Sequence, residues 1–179
     1  KETYMKLLFN GAIKLILGIV LVGALLFLPA WTMNYPYAWL FICLLFIPML
    51  IMGIVLFIKA PKLLEKRLKN KEKQNTQKGV TILLGVMFLV GFVLSAIDFR
   101  FGWSSVPLWL VIVASVVFEL GYLMYAEVMR ENMYLSRTVE VQENQKVVST
   151  GLYGIVRHPM YLATLFMFLP LPLILGSFW

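Results

Sequence analysis

The stretch YAWLFICLLFIPMLIMGIVLFI, residues 37–58, carries no charged side chain anywhere along its length. A helix rises 1.5 Å per residue, so roughly 20 apolar residues match the roughly 30 Å hydrocarbon layer of a bilayer. A run this long and this uniformly apolar predicts a membrane-spanning helix. Similar runs flank it on both sides: Gly11–Trp31 before it, then Val80–Ile97, Val106–Tyr125 and Met160–Trp179 after it. The whole chain is 61% hydrophobic and only 14% charged, which excludes an ordinary soluble domain of 179 residues.

The predicted fold is therefore all-α, a polytopic integral membrane protein of about five transmembrane helices forming one domain over residues 1–179. No period of 20–50 residues repeats, so a solenoid is excluded. The first run resembles a signal peptide in having Lys6 and Lys14 near its start. It is long, lacks an A-x-A cleavage site and precedes four more runs, so it is expected to be a retained helix. The chain lacks an initiator Met, and its natural start is expected to be trimmed. The lone Cys43 excludes an intramolecular disulfide. Pro170 and Pro172 predict a kink near Leu169, because interior prolines remove helix hydrogen bonds.

Charge sets the orientation. Residues 59–78, KAPKLLEKRLKNKEKQNTQK, hold eight Lys/Arg against Glu65 and Glu72, whereas TMNYPY (32–37) and DFRFGWSS (98–105) are nearly uncharged. The positive-inside rule places 59–78, the N-terminus and 126–159 in the cytoplasm. The net charge of +7 sits at run edges, so anionic lipid headgroups rather than nucleic acid are the expected partner of residues 59–78. Pro61 suits a first helical turn, and Leu63, Leu64 and Leu68 share one face with Lys62, Lys66, Arg67 and Lys69 around them. That pattern fits a short interfacial helix, or equally a bare topology signal. Within the spans, Lys14 can snorkel to the inner interface, and Glu119 needs a partner, for which depth makes Lys14 a candidate.

The segment from residue 126 to 159 is polar and long for a connection, with short β-like alternations in TVEV and KVV. It ends in GLYGIVRHPMY, residues 151–161, which contains the only histidine of the protein. Pro159 suits the first position of a helix, which would set Arg157 and His158 at the positive end of a helix dipole beside free backbone amides. That is an anion site. Gly151 and Gly154 permit tight turning and close approach to a ligand, and Tyr153 and Tyr161 offer aromatic faces. The same residues also suit a plain aromatic belt with headgroup contacts, and the residues alone leave both open.

GLYGIVRHPMY resembles the signature of the integral-membrane methyltransferases that include isoprenylcysteine carboxyl methyltransferase and the phospholipid N-methyltransferases. The likeness runs over residues 120–170, and SRTVEVQENQKVVSTG (136–151) resembles the bacterial branch of the isoprenylcysteine enzymes. The resemblance implies S-adenosylmethionine as cofactor, with S-adenosylhomocysteine as product. It implies that Gln142, Gln145, Lys146, Val147 and Val148 line the nucleoside side. Tyr153 would contact the cofactor, while His158, Pro159, Met160 and Tyr161 hold its amino-acid end. Arg157 and His158 are the implied catalytic pair, Arg157 orienting the loop or meeting the cofactor carboxylate. The implied acceptor is lipidic, first of all an isoprenylcysteine-type carboxylate on a prenylated molecule, alternatively a lipid amine, and the implied setting is a bacterial cell membrane rather than an organelle. No metal is implied. The family carries a further membrane segment and a cytoplasmic acidic pair past this point, so the chain is expected to lack that C-terminal part. Two other readings stand beside it: an NADPH-dependent sterol-type membrane reductase, disfavoured by the want of an arginine cluster for a 2′-phosphate, and a non-enzymatic membrane adaptor.

Overall fold

A computed structural model describes residues 2–68, 75–132 and 148–179. The described residues form helices only: α1 (Glu2–Ala30), α2 (Pro36–Lys59), α3 (Pro61–Leu68), α4 (Asn75–Phe101), α5 (Leu108–Glu131), α6 (Leu152–Ile155), α7 (Pro159–Phe168) and α8 (Leu171–Ile174). Four of them, α1, α2, α4 and α5, are long and apolar enough to cross a membrane. The chain is thus a polytopic helical membrane protein, as its composition requires.

The fifth run differs from a straight span. α7 has 10 residues, or about 15 Å of helix, and stops at Leu169 before Pro170 opens the four-residue α8. Pro170 and Pro172 account for the break: neither has an N–H to donate, and each ring obstructs the preceding turn. α7 and α8 together still carry the chain from one end of the bundle to the other. The expected kink is therefore a full interruption.

In lipid, apolar surface alone gives helices little reason to associate, so close approach depends on small residues and hydrogen bonds. Both are visible here. α7 packs most extensively against α5, where a Cβ on Gly121 would lie 2.9 Å from the Met167 amide nitrogen and 3.0 Å from the Ala163 carbonyl oxygen. Ala30, Ala38, Ala96 and Ala114 are buried in the core with Leu26, Phe41, Phe118 and Ile174. This core lies towards the end of the bundle away from residues 151–161. At the other end α4 stands apart, with residues 81–87 all exposed.

A polar knot closes the packed end. The Tyr35 hydroxyl donates to the Leu175 carbonyl at 2.7 Å, and its ring stacks on Phe99 with centroids 3.9 Å apart. Asp98, fully buried, accepts from the Ser104 amide at 2.7 Å and from the Ser177 hydroxyl. These bonds fix the segment after α8 to α2 and α4. Burial, and then the negative charge of Asp98, push the Tyr35 hydroxyl well above its ordinary range.

α3 lies differently from a helix floating on lipid. Leu63 is buried, and Arg67 turns into the bundle, its Nη2 2.6 Å from the Tyr125 hydroxyl of α5. Lys14 gives its ammonium to the Leu68 carbonyl at the end of α3 rather than to Glu119. The helix end supplies a nearer acceptor than the carboxylate does. Lys62 remains exposed and free to meet headgroups.

Candidate functional site

The site is built where α5 ends. α5 runs to Glu131, and Asn132 caps it, its amide bonding back to the Val128 carbonyl at 3.0 Å. Both side chains reach the segment at 148–159. A Glu131 carboxylate oxygen accepts the Leu152 amide at 3.1 Å, and Asn132 Nδ2 donates to the Tyr153 hydroxyl at 2.9 Å. α6 has just one turn, with first-turn amides in need of acceptors, and Glu131 supplies one from across the gap.

Gly151 makes that contact possible. Its φ is +53°, and a Cβ there would fall directly on the Glu131 carboxylate. The close approach this glycine permits is made here to the Glu131 carboxylate. Gly154 is tight for a similar reason, since a Cβ would sit 3.1 Å from the Ser149 carbonyl oxygen.

α7 starts at Pro159, as expected for a proline at the first helical position, and Pro159 is buried against the bundle. His158 is the N-cap. Its carbonyl accepts the Tyr161 and Leu162 amides at 3.1 and 3.3 Å, while its imidazole makes no capping bond. The ring is exposed and stands 5.4 Å from the Tyr161 ring, tilted by 35°. Tyr161 is 73% exposed, and Arg157 is exposed beside it. Met160 is half-buried, and its amide lies in the first turn, where no intrahelical acceptor exists. Three side chains with polar or aromatic character, Arg157, His158 and Tyr161, thus surround the positive end of a ten-residue helix. The arrangement can hold an anion and lay an aromatic edge beside it.

The other sequence-derived residues are placed as follows. Val148 is half-buried at the start of the described segment. Tyr153 is half-buried, and its hydroxyl is taken by Asn132, so that group holds the segment to α5 and leaves the ring for any ligand contact. Gln142, Gln145, Lys146 and Val147 lie outside the described residues, as do TVEV and most of KVV. Among the described residues no group of three or more His, Cys, Asp or Glu side chains is placed to hold a metal ion.

Glu131 and Asn132 were not singled out by sequence reasoning. They precede the motif by about 20 positions, and only the signal of two polar residues closing an apolar helix could have pointed to them.

A family model described as phospholipid methyltransferase matches residues 109–179, which takes in α5, the segment after it, α7 and α8. The match supports a membrane methyltransferase. It does not distinguish a carboxylate acceptor from an amine. No curated protein and no solved structure matches the chain.

Proposed function

We propose that the protein transfers a methyl group from S-adenosylmethionine to a lipidic acceptor at the cytoplasmic face of a membrane. The observation that carries the reading is the exposed N-terminus of α7, with Arg157, His158 and Tyr161 around it, docked on α5 inside the stretch matched by the family model. Bound S-adenosylmethionine supplies an activated methyl carbon, together with a carboxylate and an adenine that need holding.

The residues present fit that group. The first-turn amide of Met160 and the side chains of Arg157 and His158 are donors for a carboxylate, and the Tyr161 ring is a face for a cationic centre. Pro159, buried, fixes where the helix begins and so where its donors point. Glu131 and Asn132 hold the preceding turn, which keeps Tyr153 and Gly151 beside the helix start. Nothing here needs to generate a nucleophile if the acceptor is a carboxylate, which is ionised at neutral pH. Alignment then does most of the work, worth roughly 7–11 kcal/mol in well-oriented reactions.

The first acceptor proposed is a carboxylate of the isoprenylcysteine type. The name of the matched family favours a second, a phospholipid amine. The two differ in their proton demand. A lipid amine must lose its proton before it attacks, so methylation should rise about tenfold per pH unit well below the amine pKa of about 10. A carboxylate acceptor, ionised above pH about 5, should give a rate flat from pH 6.5 to 8.5. Radiolabelled methyl transfer into organic-extractable lipid, measured across that range in membranes containing the protein, distinguishes them. No transfer above membranes lacking the protein would refute the proposed activity.

A further inference from the structure

Arg67 is a charge the proposed cofactor site does not use. It is half-buried on α3, its Nη2 2.6 Å from the Tyr125 hydroxyl and its guanidinium carbon 5.2 Å from the Tyr125 ring centroid. Among the described residues no carboxylate is seen paired with it; Arg130 and Glu127 pair elsewhere, on α5. A half-buried guanidinium whose described contacts are a phenol and an aromatic face keeps N–H donors to offer to an anion.

The position is informative as well. α5 and α7 run antiparallel, with Gly121 against the Ala163 carbonyl and the Met167 amide, midway between those two residues along α7. Four residues along α5 lead to Tyr125, and four residues back along α7 from that level lead to its first turn, about 6 Å in each case. The Arg67–Tyr125 pair is therefore level with the start of α7.

Its chemistry is one-sided. Tyr125 accepts from Arg67 through its oxygen, so its O–H proton is left to donate, and the guanidinium keeps further N–H donors. Lys14 lies close by, its ammonium on the carbonyl of the next residue, Leu68. Ile13, Ile16 and Leu17 beside it are exposed apolar surface. Donors clustered next to an apolar face suit an amphiphile with an anionic head.

We propose that Arg67 and Tyr125, with Lys14 at the edge, bind the anionic oxygens of the lipid acceptor, a carboxylate or a phosphate, and hold its head level with the helix start at Pro159. This rests on the lipid methyltransferase reading, and the test separates the two. Full-length protein in neutral detergent is titrated with oleate, with dioleoyl phosphatidic acid and with uncharged oleyl alcohol, and melting temperature is followed. Calorimetry with S-adenosylhomocysteine runs in parallel.

The expected result is that at least one anionic amphiphile stabilises the wild type more than oleyl alcohol does. Oleate alone would identify a carboxylate, and phosphatidic acid alone a phosphate. Arg67→Gln should weaken that binding at least tenfold, Arg67→Lys less, and both should keep S-adenosylhomocysteine affinity within about twofold. If Arg67→Gln does not fold, Tyr125→Phe must show the loss, since it keeps the ring and removes the hydroxyl. Anions that stabilise wild type and variants equally, or that never exceed oleyl alcohol, overturn the proposal. Failure of the wild type to bind S-adenosylhomocysteine would instead count against the methyltransferase reading.

Discussion

Gly151→Ala probes how the segment before α7 is docked. The residue has φ +53° and ψ −126°, a conformation kept almost entirely to glycine that costs a residue with a Cβ about 1–3 kcal/mol. The added carbon would also occupy the place of the Glu131 carboxylate, which must then release the Leu152 amide. A hydrogen bond to a charged group contributes about 1.5–3 kcal/mol. The substitution should therefore cost about 2.5–6 kcal/mol of local docking, the sum of those two ranges. Hydrogen exchange of a peptide covering residues 148–157, read by mass spectrometry, reports that local opening. Exchange should speed up at least about sixty-fold or lose protection altogether. Glu131→Ala alone should accelerate it roughly ten- to a hundred-fold. In the Glu131→Ala background, Gly151→Ala should add only its strain, about 1–3 kcal/mol, so the two changes are coupled by about 1.5–3 kcal/mol. An equal cost of Gly151→Ala in both backgrounds would refute the docking argument.

His158→Ala should weaken S-adenosylhomocysteine binding roughly ten- to a hundred-fold with the melting temperature unchanged, because the imidazole caps nothing; a change under twofold would return the motif to an aromatic belt. Gly121→Val should lower the melting temperature through overpacking of about 1–3 kcal/mol or more, since its side chain meets the Met167 backbone and cannot be relieved by a rotamer change; an unchanged melting temperature would remove the α5–α7 crossing as a close contact. In a Cys43→Ser background, a cysteine at Gln74 should be labelled by an impermeant maleimide only from the cytoplasmic side, and one at Ser105 only from outside. The reverse pattern would place the motif on the wrong face.

The spans were legible because length and hydropathy depend on the solvent alone: a bilayer asks for about 20 apolar residues whatever the neighbours are. The start of α7 was legible because Pro159 acts locally, and so was the interruption at Leu169, with two prolines close behind it. The faces were not legible. A span surrounded by lipid is apolar all round, so periodicity does not tell which side of α5 meets α7 and which meets α2. Gly121 decides that, and a glycine in an apolar run is silent until its neighbour is known. Long-range polar ties were invisible for the same reason. Asp98 looked like part of a loop, yet it is buried under Ser177, 79 positions away. Lys14 was matched to Glu119 by depth, whereas the end of α3 supplies its partner. Glu131 and Asn132 show the limit at the site itself, since a motif names the residues that carry a signature but not those that hold it in place.

Whether the helix start at Pro159 grips S-adenosylmethionine, a nicotinamide nucleotide or nothing is open to direct measurement. Isothermal titration of detergent-purified, full-length protein with S-adenosylhomocysteine and, separately, with NADPH tests it directly. Saturable binding of S-adenosylhomocysteine with weaker or no binding of NADPH is the expected result; no heat from S-adenosylhomocysteine, or tighter binding of NADPH, would overturn the methyltransferase reading.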